Sequence, residues 1–478
     1  MQNFKVRCIF AVILLLIVRY VYAEILQPDP AWKEGKLKNN FSWQLLQTPQ
    51  RPNDSIQFKL IIKTGSINEN VGEKGYSFLI PKMALSYQNK EYMILKSQKD
   101  FFCKSCYNNI VFMVHAIVSY DYTIYSLSLP NNNHYLIKQA LNCLSTLVKD
   151  IICTEEVLYY SLKDQNIPVT TMPLNIKDPV WRSRLKDSSM LGFDPGQNVS
   201  ENVSLDDVKT FFKKWYTPDV MILYIVGNVD MRVLFNGIIQ NFSSLKGKRL
   251  EPVSIAILAS IKQKYICITK NYLLNEVITL IWDIDRFPIK DSNGLLRYWE
   301  SNLARDIIYR SLQKTFNKKY IKNEVISSLI CRMRYKKTSC NLTVSAPFEK
   351  IADVVDTMIN ELSNINKKGV TFELFNEIIK EKQIQLSQLF AIYARINTNL
   401  LINQRIISQQ NDIIDISPEQ YQRLRQQFLL SQTLWSLIIE IRSFLSREPV
   451  FVLVGPKEKK TLNAEDVYKK FINTLSLR

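Results

Sequence analysis

Two histidines, His115 and His134, are all the imidazole that this chain of 478 residues offers for acid–base or metal chemistry. His115 opens an extended run, Val114-His115-Ala116, and His134 follows Asn131-Asn132-Asn133 in a turn. They form no motif, and a lone histidine of this kind reads as structural or surface-exposed. No G-x-S-x-G nucleophile elbow occurs, and no G-x-x-x-x-G-K-S/T phosphate loop. Cys103-Lys104-Ser105-Cys106 has the spacing of a redox motif. It lacks a thioredoxin-like frame, and no second pair exists to close a zinc site. Cys331 and Cys340 flank Arg332 to Ser339, which reads as a hairpin. Cross-strand partners in a hairpin come within bridging distance, so these two are the disulfide candidate.

One stretch is laid out like a catalytic site while carrying the wrong residues. A strand-like run, Phe58 to Gly65, leads through a polar loop, Ser66 to Lys74, into Gly75-Tyr76-Ser77-Phe78-Leu79-Ile80-Pro81-Lys82-Met83. Strand, loop and apolar helix start in this order resemble the frame in which inverted zinc peptidases carry H-x-x-E-H. The wording is similar to that of the insulinase/pitrilysin family, G-x-x-H-F-L-E-H-M. By that resemblance Phe78 stands in the first histidine slot, Pro81 in the slot of the catalytic glutamate and Lys82 in the second histidine slot. The family's third ligand, a glutamate on a later helix, falls near Tyr159 to Leu162, and no carboxylate occurs between Val157 and Lys163. Zinc needs imidazole, thiolate or carboxylate donors and an open position for water, and a nearby base to take the water's proton. Lys82 repels a cation, and Pro81 can neither act as a base nor complete its helical hydrogen bond.

Other segments carry the same resemblance: the loop Leu191-Gly192-Phe193-Asp194-Pro195-Gly196, the helix and turn Phe211 to Asp219, and Ile225-Val226-Gly227-Asn228-Val229-Asp230. Some relatives work in pairs, with an arginine and a tyrosine of the second half holding the substrate backbone. On that pattern Tyr320 is the substrate-binding candidate, while Gln313 fills the arginine slot; an ordinary loop tyrosine is the simpler reading. The resemblance implies an exported, non-catalytic protein with a binding or scaffolding role in the periplasm and no cofactor. The rival reading is an active or partner-dependent zinc metallopeptidase acting on periplasmic peptides, and only that reading calls for zinc. The implied partners are an extended peptide or a companion periplasmic protein.

The elements that must position these residues recur. An extended run ends at Pro130, a helix follows with Ile137, Ala140, Leu141, Leu144, Leu147 and Val148 at helical spacing, and Thr154 caps the next helix. The order returns 217 residues later with Pro347, then Ile351, Val354, Val355, Met358, Ile359 and Leu362, then Thr371. Shared punctuation as well as shared period makes duplication the better reading. Both halves close on a buried-looking strand ending in glycine, at Gly227 and Gly455. The expected fold is α+β: two homologous domains, each a mostly antiparallel sheet with helices on one face, forming a clamshell. The expected division is residues 1–23 as a signal peptide, 24–250 as the first domain and 251–478 as the second.

Lys5 and Arg7 precede an apolar run, Cys8 to Val18, and Val21-Tyr22-Ala23 offers a cleavage site before Glu24. The run is shorter than the roughly 18 residues a membrane span needs. An uncleaved anchor is the alternative, and no later segment reads as a transmembrane span. The net charge of +18 is spread along a chain rich in Ile, Asn and Lys, with short clusters such as Lys246-Gly247-Lys248-Arg249. That is drift of the whole composition rather than a nucleic-acid footprint.

Overall fold

The computed structural model describes residues 24–90, 113–130, 132–151, 153–174, 176–199, 203–252, 254–271, 273–285, 288–456 and 462–475. The segment 1–23 and the Cys103–Cys106 motif lie outside the described residues.

The first half builds seven strands: β1 (Trp32–Lys36), β2 (Ser42–Gln47), β3 (Ile56–Ile62), β4 (His115–Val118), β5 (Thr123–Leu129), β6 (Val169–Thr171) and β7 (Met221–Gly227). They form one sheet in the order β1-β2-β7-β3-β5-β4-β6. The extended run that ends at Pro130 is one arm of a hairpin: β4 and β5 are antiparallel, separated by a tight turn at Ser119 to Tyr122. Alternation of side chains decides which face meets the helices. Phe58, Leu60 and Ile62 of β3 join one core with helices α1 (Tyr76–Lys90), α2 (His134–Lys149) and α3 (Glu155–Lys163). Helices α4 (Pro179–Leu185), α5 (Leu205–Trp215) and α6 (Met231–Phe242) complete this half. The helix starts are written locally: Asn133 accepts from the Tyr135 and Leu136 amides, and Thr154 from the Val157 amide.

The second half has β8 (Tyr265–Lys270), β9 (Glu276–Asp285), β10 (Ile326–Arg334), β11 (Lys337–Ala346) and β12 (Val450–Pro456), in the order β10-β11-β9-β12-β8. Its helices are α7 (Ser292–Lys319), α8 (Ile351–Lys368), α9 (Phe372–Ser387), α10 (Leu389–Arg395), α11 (Thr398–Gln410), α12 (Pro418–Ser431), α13 (Leu434–Leu445) and α14 (Ala464–Leu475). Strand order and strand sense match the first sheet from β4 to β2. In each half one parallel pair, β2–β7 or β8–β12, is followed by three antiparallel ones. Helices α2 and α8 begin at His134 and Ile351, and α3 and α9 at Glu155 and Phe372, 217 residues apart in both cases.

The halves clasp each other. The face of the first sheet away from its own helices, with Ile61, Ile124, Tyr224 and Val226, is covered by Leu401, Ile402 and Ile406 of α11. Buried Arg405 on the same helix donates to Gln44 Oε1 at 2.9 Å and lies 5.1 Å from the Trp32 ring. In return, Val180 of α4 packs against Ile266, Ile268, Ile281 and Val452 of the second sheet. A buried ion pair, Arg184 Nη2 to Asp283 Oδ1 at 2.8 Å, fixes that contact. The chain start also crosses over: Leu26 is buried in the second core, and its amide donates to the Lys290 carbonyl at 3.1 Å.

Among the described residues no single helix is long and apolar enough to cross a membrane. The pair α12 and α13, bent by 98°, passes such a test only jointly, and its Leu424, Phe428, Leu437, Ile441 and Phe444 are buried in the second core.

Candidate functional site

Helix α1 places the degenerate motif. Its start is set by Gly75, whose φ of +88° suits glycine and whose Cβ, if present, would stand 2.6 Å from the Gln197 carbonyl oxygen. Buried Glu69 reaches back from the loop to cap the helix. Its carboxylate accepts from the Gly75 amide at 2.9 Å, from the Ser77 amide at 2.8 Å and from the Ser77 hydroxyl. Burial pushes the Glu69 pKa up to about 7, and the three hydrogen bonds pull the other way. Sequence reasoning missed this residue. A carboxylate six positions before Gly75 fits no capping-box spacing, and only the fold of the loop brings it onto the helix axis.

The five positions of the motif then divide by helical geometry. Leu79 and Ile80 are buried in the first core, beneath the sheet. Pro81 is buried within the helix, where it offers no N–H to the Ser77 carbonyl. The helix nevertheless runs on to Lys90, because the packing of Leu79, Ile80 and Met83 holds it. Phe78 is half-buried near Gly196, whose φ is +79° and whose Cβ, if present, would stand 3.8 Å from the Phe78 ring and 2.7 Å from Thr171 Cγ2. Burial holds the Lys82 ammonium below the ordinary lysine pKa, with Asp164 pulling it back up.

Helix α3 lies alongside, as a third-ligand helix must. Its contact with α1 is a hydroxyl pair, Ser161 Oγ donating to Ser86 Oγ at 3.0 Å. Tyr159 and Leu162 are left exposed, at 52% and 47%. Lys163 donates to the Tyr159 hydroxyl at 2.6 Å. The ligand and base slots therefore hold a phenyl ring, a pyrrolidine ring, an ammonium and phenols. None of these is a zinc donor of the usual kind, and none is the carboxylate or imidazole that ordinarily serves as the base. The residues present do not fit the metal that such a frame carries. Among the described residues no three His, Cys, Asp or Glu side chains are grouped so as to hold a metal ion.

The structure does not bring the remaining candidates to this helix. His115 is exposed at the start of β4, and His134 begins α2 with Nε2 4.0 Å from Asp230 Oδ2. Tyr320 ends α7, where its hydroxyl donates to Asp353 Oδ2 at 2.8 Å and meets Thr357 Oγ1 at 2.8 Å, tying α7 to α8. Cys331 and Cys340 face each other on β10 and β11 with Cα atoms 4.0 Å apart, and are disulfide-bonded. Cys143 is disulfide-bonded too.

Comparison with known proteins follows the geometry. Residues 46–158 match the family Insulinase (Peptidase family M16), and residues 202–382 match the Peptidase M16 inactive domain. Protein YhjJ of Escherichia coli strain K12 is 36% identical over 97% of this chain and 92% of that protein. A structure titled as a predicted insulinase family protease from Yersinia pestis superposes with a TM-score of 0.87 at 39% identity, covering 95% of this chain and 99% of that one. The first half of the periplasmic protease PqqL from Escherichia coli gives a TM-score of 0.78 at 18% identity, covering 94% of this chain and 98% of that one. Of the complete PqqL structure the chain spans 51%.

Proposed function

The chain belongs to the insulinase (peptidase M16) family, and from that premise we propose that it is an exported member which no longer cleaves peptides and acts by binding or scaffolding in the periplasm. The observation that carries the reading is the identity of the side chains on α1: Phe78, Pro81 and Lys82 stand where the family's frame calls for a ligand, a base and a ligand. The residue types on α3 support it, since Tyr159 to Leu162 include no carboxylate. A zinc-bound water supplies most of the acceleration in such peptidases, so the loss of every part at once is not a matter of tuning. No cofactor belongs to this reading.

The repeated strand order supports an ancestral duplication, with a division near residue 250. Export rests on the leader-like sequence before Glu24 and on the likeness to PqqL, a periplasmic protease. The partner is an extended peptide or a companion protein of the same compartment. A second reading, in which the chain completes the site of a separate zinc-bearing subunit, draws on Tyr320 at the end of α7 in the second half.

Tagged protein recovered from the periplasm should bring down a bound protein or peptide, and purified alone it should leave an unfolded substrate intact with or without chelator. Chelator-sensitive cleavage by the purified chain would overturn the reading. Cleavage seen only with a co-purified subunit would select the second one.

A further inference from the structure

A cleft of about 640 Å³ opens in the second half, on secondary elements that share nothing with the degenerate motif. Helix α7 gives it Trp299, Arg305 and Asp306, the strand β10 gives Leu329, and α9 and α12 give Lys382 and Arg425. The turn from α9 into α10 adds an aliphatic wall.

Its charges are unbalanced. Asp306 is taken by Lys382 at 2.6 Å. Arg305 is 5% exposed and, among the described residues, donates to neutral oxygens, Ser301 Oγ at 3.0 Å and Asn302 Oδ1. Glu440, the nearby acid, accepts from Ser301 Oγ at 2.8 Å. The Arg425 guanidinium carbon lies 4.9 Å from the Trp299 ring and 4.8 Å from the Phe428 ring, two rings set edge to face at 62°. Its Nη1 is buried and has no hydrogen-bond partner among the described residues. A buried guanidinium without an anion is costly, and burial depresses the pKa of both arginines. A guanidinium held beside apolar rings with an N–H group unpaired is suited to a bidentate acceptor, the geometry a carboxylate supplies. The volume lies in the range of small-ligand pockets, about 300–1,000 Å³. β10 is the last strand of its sheet, so an extended chain can also pair along the cleft's flank.

We propose that this cleft binds a carboxylate carried on a partly apolar ligand of short-peptide size, with Arg425 as the receiving fork and Arg305 beside it. The proposal goes beyond the function given above and does not depend on whether the motif on α1 is inert.

Calorimetry on the mature chain tests it with three probes: an N-acetylated apolar tripeptide as the free acid, its C-terminal amide, and an amidated tripeptide bearing a glutamate. The free acid should bind about ten- to a hundred-fold tighter than its amide, the worth of one charge-assisted pair. Binding of the glutamate probe would show that a side-chain carboxylate also satisfies the site, and failure of that probe would restrict the site to chain ends. Arg425→Gln should lose about ten-fold or more. Should that variant fold poorly, Arg425→Lys keeps the charge without the fork and should weaken binding as well. Equal binding of acid and amide, no binding of either acid, or inorganic phosphate binding in place of both would overturn the assignment.

Discussion

Glu69 shows how much of the site depends on one side chain. It receives the Gly75 and Ser77 amides from inside the protein, and burial raises its pKa from 4.5 to about 7. An acid whose folded pKa lies above the unfolded value binds more protons when folded. Its contribution is therefore complete below about pH 4.5 and is lost as the pH rises through about 7. Relative to Glu69→Gln, the wild-type chain should lose on the order of 2–3 kcal/mol of unfolding free energy across that window. Urea titrations at several pH values measure the difference, and parallel curves for the two proteins would contradict it. The motif residues make a second prediction at this scale. Phe78→His, Pro81→Glu and Lys82→His together should still fail to hold zinc in equilibrium dialysis. The third ligand on α3 is missing, and the outer hydrogen bonds that orient ligands have no counterpart there. Tight stoichiometric binding by the triple variant would mean that a donor near Tyr159 to Leu162 has been overlooked.

The short helix α4 does more than its length suggests, because it carries the ion pair that seats the first half on the second sheet. Arg184 and Asp283 are 7% and 8% exposed, so removing one leaves a buried charge without a partner. Arg184→Ala should cost about 3–5 kcal/mol, and the double change Arg184→Met with Asp283→Leu should recover most of it. Denaturant unfolding of the two variants checks this, and equal losses would show that the pair itself supplies the stability. Elements of this kind explain what could be read in the chain and what could not. Helices α2, α3, α8 and α9 were legible because their apolar spacing and caps at Thr154 and Thr371 are local. The strands β3, β7 and β12 were legible as apolar runs closed by turns. The hairpin of β4 and β5 was hidden, because its turn, Ser119-Tyr120-Asp121-Tyr122, contains neither Gly nor Pro. The clasp of α11 on the first sheet was hidden as well. Contacts such as Gln44 with Arg405 join residues 361 apart, and no local pattern announces them.

At the scale of the whole molecule, two halves with the same strand order are held together by reciprocal helices, by the crossing of Leu26 and by the tip of the β10–β11 hairpin. There Tyr335 sits 5.6 Å from the Tyr120 ring, and its hydroxyl is 3.1 Å from Ser119 Oγ. Within this assembly α1 and α3 lie side by side, joined by the Ser161–Ser86 hydroxyl pair. On the function proposed above, the fold is kept without the residues of a hydrolytic site, since a fold does not by itself dictate a chemistry. That Phe78, Pro81 and Lys82 share one helix was readable from the sequence. The carboxylate that caps their helix, and the two arginines that donate to no carboxylate among the described residues, needed the structure. The direct test of the central claim is the zinc content of the mature protein purified without chelator and dialysed against trace zinc, measured by mass spectrometry against protein concentration. Zinc far below one equivalent per chain is the expected result. About one equivalent, retained through dialysis and accompanied by peptide cleavage that a chelator abolishes, would contradict the account and return the chain to the peptidases.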